Sequence, residues 1–102
     1  MKSFLISDNK DTWVGMKLAG IDGVIVHTRD ETLATIKAAL QNKDIGILII
    51  TEVAMENAKA EVMRMKLERK SPLIVEIPDR HAGPDFQVKI TKYIEESIGI
   101  KL

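Results

Sequence analysis

Four short runs of apolar residues alternate along the chain with four segments of helical periodicity. The runs lie at residues 4–6, 24–26, 47–50 and 73–75. Uninterrupted apolar runs of this length are typical of strands buried on both faces of a parallel sheet. A helix in each connection predicts right-handed crossovers between parallel strands. We therefore predict an α/β fold: a four-stranded parallel sheet in the flavodoxin-like, Rossmann-like order 2-1-3-4, with helices on both faces.

Length and composition exclude several classes of protein. The 102 residues allow one domain with a real core. The 15 lysine and arginine residues balance 15 aspartate and glutamate residues, so charge gives no reason to expect nucleic acid or an anionic membrane as partner. The absence of cysteine excludes disulfides and thiolate metal sites. The first apolar run is too short for a signal peptide or a membrane span, so we expect a cytoplasmic domain without direct membrane insertion.

Capping residues and apolar spacing predict the first two helices. One of residues 7–9 is expected to cap the first helix, and Gly20 to end it in a left-handed conformation. Thr28 and Glu31 match a capping box for the second helix. Apolar residues that share a helix face are Val14 and Leu18 in the first helix, with Trp13 and Met16 alongside, and Leu33, Ile36 and Leu40 in the second.

A third helix is predicted at about residues 52–69, with Thr51 as its cap. Its expected buried stripe is Ala54, Ala58, Val62 and Met65, whereas Met55 and Met63 fall on another face and are expected to be exposed. Pro72 and Pro78 bracket the fourth strand.

The chain divides into a core and a C-terminal part. We predict an α/β core domain at 1–78, a connecting loop at 79–84, and a C-terminal helix and tail at 85–102. Apolar residues recur at every fourth position of that helix, to Ile98. They continue past the stop signal at Gly99, which indicates a partner surface or a mobile tail.

The predicted carboxyl ends of the strands, where such folds bind ligands, carry little chemistry. Asp8 and Asp11 could hold Mg²⁺, but a helix cap and a first-turn acid explain them. Thr51 stands where a receiver domain has its phosphate-accepting Asp, and capping explains it too. His27 and His81, without a nearby carboxylate cluster, are a weak metal signal. We predict no catalytic, cofactor-binding or metal-binding residues; the alternative is a degenerate receiver-like or phosphate-binding flavodoxin-like signalling module.

Two segments instead suggest contact surfaces. The second strand would form an edge of the sheet, which a partner could cover. The C-terminal helix and tail offer apolar residues beyond what a small core needs. The predicted partner-binding residues are Val24, Ile25, Val26, Ile94, Ile98, Ile100 and Leu102.

Several segments together suggest a family. They are residues 4–8 with Asp11-Thr12, then Gly15, residues 18–21, 44–52, 72–78 and the pair Ile98-Gly99. In order, spacing and total length the chain resembles, from end to end, the F subunits of the V-type and archaeal A-type rotary ATPases.

The resemblance implies a non-catalytic component of the central rotor stalk. Such an F subunit binds the coiled-coil shaft, the D subunit, inside the A/B catalytic ring, and its last helix can extend toward that ring. It helps couple ATP hydrolysis or synthesis to the transport of hydrogen or other ions, and the stalk links it indirectly to the membrane rotor. Nucleotide is bound by the A and B subunits, so no cofactor is expected here. The implied location is cytoplasmic, peripheral to the membrane as part of the ATPase complex.

Overall fold

Parallel strands alternate with helices in the computed structural model, which describes residues 2–69 and 71–78. The elements are β1 (Lys2–Ser7), α1 (Lys10–Leu18), β2 (Asp22–Ile25), α2 (Arg29–Gln41), β3 (Ile45–Thr51), α3 (Glu52–Glu56), α4 (Lys59–Glu68) and β4 (Leu73–Ile77). The four strands pair in the order β2-β1-β3-β4, and every pair is parallel. The predicted α/β fold and strand order are confirmed. The predicted loop at 79–84 and the C-terminal helix and tail at 85–102 lie outside the described residues.

Local hydrogen bonds fix both ends of α1. The side chain of Asn9, one of the three predicted caps, accepts a bond from the Thr12 N–H at 2.7 Å. At the other end Gly20 has a φ of 86°, as expected of a left-handed helix stop. Its N–H donates to the Lys17 carbonyl at 3.0 Å, and the Ile21 N–H reaches back to the Met16 carbonyl at 2.9 Å. The two bonds form a Schellman motif, which turns the chain into β2.

The core has two layers, one on each face of the sheet. One layer packs α2, α3 and α4 against the strands, and the other packs α1 against the opposite face. A register shift between β1 and β3 at Lys2 and Ser3 puts the side chain of Ile45 on the α2 face and that of Ile47 on the α1 face. The predicted stripe of α2 is confirmed, because Ile36 is buried and Leu33 and Leu40 pack against it.

The predicted helix at 52–69 is two helices. A turn at Asn57 and Ala58 separates α3 from α4, and Ala58 has a φ of −140° and a ψ of 30°, which no helix interior adopts. The predicted inward face survives the break, because Ala54, Ala58 and Val62 are all buried. The exposure expected for Met55 was wrong, since its side chain is only 5% exposed, whereas Met63 is exposed at 45%.

The face of α1 shared by Val14 and Leu18 points to solvent. Both side chains are exposed, whereas Thr12 and Met16 are the buried residues of this helix. Trp13 lies partly buried against the same layer as Met16. The inward face of α1 is therefore set by Thr12, Trp13 and Met16.

Candidate functional site

Hydrogen bonds occupy the polar side chains at the carboxyl ends of β1 and β3, where an α/β domain would receive a ligand. The Thr51 hydroxyl donates to the Asp8 carboxylate at 2.8 Å and accepts from the Asp8 N–H at 3.2 Å. The Ser7 hydroxyl donates to the Asn9 carbonyl at 2.8 Å and accepts from the Asn9 N–H at 3.1 Å. Ser7 and Thr51 are fully buried. The last residues of the two central strands, Ser7 and Thr51, thus each exchange a pair of hydrogen bonds with a residue of the loop that follows β1.

Two predictions for this edge were wrong in detail. Thr51 is the N-cap residue of α3, as predicted, but its side chain makes no capping bond, because its hydroxyl donates to Asp8 instead. Asp8 in turn is not the cap of α1, a role that Asn9 fills. A phosphate or Mg²⁺ at this edge would therefore compete with the bonds that join Asp8 to Thr51.

His27 belongs to the start of α2. Its N–H donates to the Glu31 carboxylate at 2.8 Å, and the Thr28 N–H donates to the same oxygen at 3.1 Å. The Glu31 N–H returns a bond to the Thr28 hydroxyl, which completes the predicted capping box. These two N–H donors hold the pKa of Glu31 below its ordinary value. His81 lies outside the described residues, and residues 2–69 and 71–78 contain no cluster of three metal-ligating side chains.

The predicted edge strand is at an edge, and α1 covers part of it. The Trp13 indole N–H donates to the Gly23 carbonyl at 3.0 Å, which removes one acceptor that an added strand would need. Val24 and Ile25 are partly buried, whereas Val26 is 2% exposed and belongs to the core. Of the three predicted partner-binding residues in this strand, Val24 and Ile25 retain accessible surface.

A groove beside this edge was not foreseen. It has a volume of about 390 Å³ and lies between α2 and the sheet. Its lining is apolar or uncharged: Phe4, Val24, Ala34, Thr35, Ala38, Ala39, Asn42 and Ile45. The sequence signal for this groove was the presence of Ala34 and Ala38 on the solvent face of α2, because a solvent-facing helix surface usually carries charge.

An ion pair that the sequence did not suggest ties α2 to the α3–α4 turn. The Arg29 guanidinium pairs with the Glu61 carboxylate and donates to the Asn57 carbonyl at 2.9 Å. The hydrogen bond from Arg29 holds the pKa of Glu61 below its ordinary value. Arg29 thereby supplies a donor to a carbonyl at the end of α3, where the helix itself offers none.

The remaining predicted partner-binding residues, Ile94, Ile98, Ile100 and Leu102, lie outside the described residues. Within the part of the chain that the structure describes, the helices are too short or too polar to cross a membrane.

Curated relatives match this chain over nearly its whole length. The F subunit of the A-type ATP synthase of Methanocaldococcus jannaschii is 31% identical over 103 residues, with 100% of this chain and 99% of the relative covered. Its counterpart of the same name in Methanococcus aeolicus is 33% identical over 104 residues, with 100% and 99% covered. That of Pyrococcus furiosus is 29% identical, with 100% and 98% covered.

Structure and family comparison agree with these relatives. The fold matches a crystal structure of the V-type ATP synthase F subunit of Archaeoglobus fulgidus with a TM-score of 0.58. The two are 22% identical, and the match covers 74% of this chain and 95% of the other. The family model for the ATP synthase (F/14-kDa) subunit matches residues 4–94. The chain therefore belongs to the family of F subunits of A-type and V-type ATP synthases.

Proposed function

We propose that this chain is a non-catalytic component of the central rotor stalk, which binds the coiled-coil shaft and helps couple ATP turnover to ion transport. It would work in the cytoplasm, peripheral to the membrane, and reach the membrane rotor only through the stalk. Two observations support the proposal: the chain's membership of the F-subunit family, and the reciprocal hydrogen bonds of Thr51 and Asp8, which occupy polar groups at the strand ends where an α/β domain would bind a ligand.

Co-expression with the coiled-coil shaft protein of the same complex, its D subunit, tests the proposal. We expect a stable complex of one copy of each chain in size-exclusion chromatography and native mass spectrometry. The isolated chain is expected to show no ATP hydrolysis. Failure to form a complex with the shaft protein would contradict the proposal.

We propose the groove beside β2 as the place where the shaft binds. Ala38 is exposed on α2 and lines the groove, so Ala38→Arg would place a long charged side chain in an uncharged recess without disturbing the core. We expect this variant to bind the shaft protein about tenfold or more weakly than wild type, because an arginine that must be desolvated opposes docking.

The matched control is Ala19→Arg, which makes the same change at an exposed alanine behind α1, on the opposite face of the sheet. Both variants are expected to unfold at the wild-type temperature. If the two variants bind the shaft protein with equal affinity, the groove is not part of the interface.

We propose the C-terminal residues Ile94 and Ile98 as a second contact, reaching toward the A/B ring. Ile94→Asp or Ile98→Asp is then expected to weaken assembly more than it destabilises the isolated chain. An equal loss of thermal stability in the isolated chain would make these residues ordinary core, since a buried isoleucine replaced by a charge costs several kcal/mol.

The phosphate-binding alternative is tested at the ends of β1 and β3, where Asp8 and Thr51 lie. Titration with Mg²⁺ and a phosphate mimic, followed by amide NMR, would produce saturable shifts at Asp8 and Thr51 if a ligand bound there. We expect none, because the carboxylate and hydroxyl are committed to each other.

A further inference from the structure

The solvent face of α4 carries an apolar stripe, which we define as Ala60, Met63 and Leu67. The three residues follow at spacings of three and four, so they share one face of the helix. All three are exposed, and Leu67 is 87% exposed, the highest value of any large apolar side chain in the described residues. The opposite face of α4 already packs into the core through Val62 and Met65. The helix is therefore apolar on two sides.

Basic side chains flank this stripe. Lys59 and Lys66 lie on one side of it by helical phase and Arg64 on the other, and all three are exposed. Within residues 2–69 and 71–78 none of them forms an ion pair, in contrast to Arg29, which is bound by Glu61. α4 has two acidic residues: Glu61 is bound by Arg29 of α2, and Glu68 is exposed beside Leu67 on the Arg64 side, so the three cations outnumber the one acid that borders the stripe. An apolar stripe between such cations has the chemistry to receive apolar side chains flanked by carboxylates.

We propose that the stripe on α4 is a docking site for an acidic amphipathic helix of a partner protein. The partner's apolar residues would pack between Met63 and Leu67, and its carboxylates would pair with Lys59, Arg64 and Lys66. This surface is separate from the edge strand and from the C-terminal residues, so it adds a contact beyond those of the proposed function.

Charge and size favour a helix over the other occupants. A second copy of this chain would bring the same three cations against each other, which opposes self-association through the stripe. A membrane surface would have to be held by two large apolar side chains of a chain whose formal net charge is +0, and stable membrane attachment needs more buried apolar area or a stronger positive charge. A single acidic helix satisfies both the apolar and the charged groups.

Photo-crosslinking in the intact complex identifies the occupant. Leu67 is replaced by p-benzoylphenylalanine, the complex is purified from cells and irradiated, and the linked peptide is sequenced. We expect one protein segment with helical apolar periodicity flanked by aspartate or glutamate. A link to lipid, to a second copy of the chain, to a neutral or basic segment, or no link at all would overturn the proposal.

Exchange kinetics test the same surface with a matched pair. Leu67→Gln and Leu18→Gln make identical changes at two exposed leucines near helix ends. In complexes mixed with labelled wild-type chain, we expect the Leu67 variant to be released about tenfold faster and the Leu18 variant at the wild-type rate. Wild-type release is expected to accelerate with salt. Equal rates for the two variants would overturn the proposal.

The outcomes separate this inference from the proposed function. If the chain assembles with the other ATP synthase subunits but position 67 gives no crosslink, the stalk assignment stands and the docking site on α4 is ruled out. A link to an acidic helix outside that complex would retain the docking site and contradict the stalk assignment.

Discussion

The same substitution, threonine to valine, is expected to change the stability of the protein in opposite directions at two buried positions. Thr51 and Thr12 are both fully buried. The Thr51 hydroxyl makes two hydrogen bonds to Asp8, whereas the Thr12 hydroxyl has no hydrogen-bond partner within residues 2–69 and 71–78. Replacement by valine keeps the shape of the side chain and removes only the hydroxyl. We therefore expect Thr51→Val to destabilise the protein and Thr12→Val to stabilise it.

The magnitudes follow from the bonds. At Thr51 one bond reaches a carboxylate, worth roughly 1.5–3 kcal/mol, and one joins a neutral N–H, worth roughly 0.5–1.5 kcal/mol. The free energy of unfolding should thus fall by about 2–4 kcal/mol in Thr51→Val. At Thr12 the variant relieves an unsatisfied buried hydroxyl, so the same quantity should rise by about 1 kcal/mol. Valine and threonine have similar helix propensity, so α1 itself is not weakened.

Urea unfolding monitored by the fluorescence of the single tryptophan measures both changes. With a slope of about 1–3 kcal/mol per molar urea, the two midpoints should move in opposite directions by amounts well above error. Thr51→Ser is the control, because it keeps the hydroxyl and costs only about 1 kcal/mol for the lost methyl group. If Thr51→Val is as stable as Thr51→Ser, the hydrogen bonds to Asp8 do not hold the strand ends together.

Three further changes test other contacts. Gly23→Ala would place a Cβ 2.6 Å from the Cβ and the carbonyl oxygen of Leu5, so we expect a loss of about 1–3 kcal/mol in urea unfolding; an unchanged midpoint would contradict this packing. Trp13→Phe removes the donor to the Gly23 carbonyl and should cost about 1 kcal/mol in thermal unfolding, unless water replaces the indole without loss. Glu31 has a pKa lowered from 4.5, so its charge stabilises the folded state above that pH, and the contribution disappears as pH falls through the folded-state pKa. Glu31→Gln should therefore be less stable than wild type near neutral pH and equal to it in acid; a difference that persists in acid would contradict the capping interaction.

Most buried faces could be predicted because they follow from local patterns, and the strand order because helical crossovers and helices on both faces favour the flavodoxin-like arrangement. Apolar runs and helical spacing report which side of each element faces inward, and Thr28 with Glu31 three residues later is a complete capping signal. Thr51 lacks that second half, since Ala54 stands three residues after it. A threonine before a helix is ambiguous without its partner, and here the hydroxyl donates to the carboxylate of Asp8, in the loop after β1.

The break after α3 was not predicted from the sequence, and one of the contacts at the break comes from a residue distant in the chain. Arg29 lies 28 residues before Asn57, whose carbonyl it binds. Apolar periodicity continues through the turn, since Ala54, Ala58 and Val62 are all buried. The pattern is therefore that of one helix. Likewise, Val14 and Leu18 share a face as clearly as Trp13 and Met16 do, and only tertiary packing decides which pair turns inward.

The groove at β2 and the stripe on α4 are too far apart for one helical turn of a partner to cover both. β2 and β4 are opposite edges of the four-stranded sheet, and three spacings of about 4.8 Å separate them by roughly 14 Å. Lys66 of α4 and Ile74 of β4 line the same recess, whereas the groove is lined by Val24 of β2. A single helix is about 10 Å wide. Crosslinkers at Ala38 and at Leu67 are therefore expected to reach different helical turns of the partner; links from both positions to the same helical turn would contradict at least one of the two contacts.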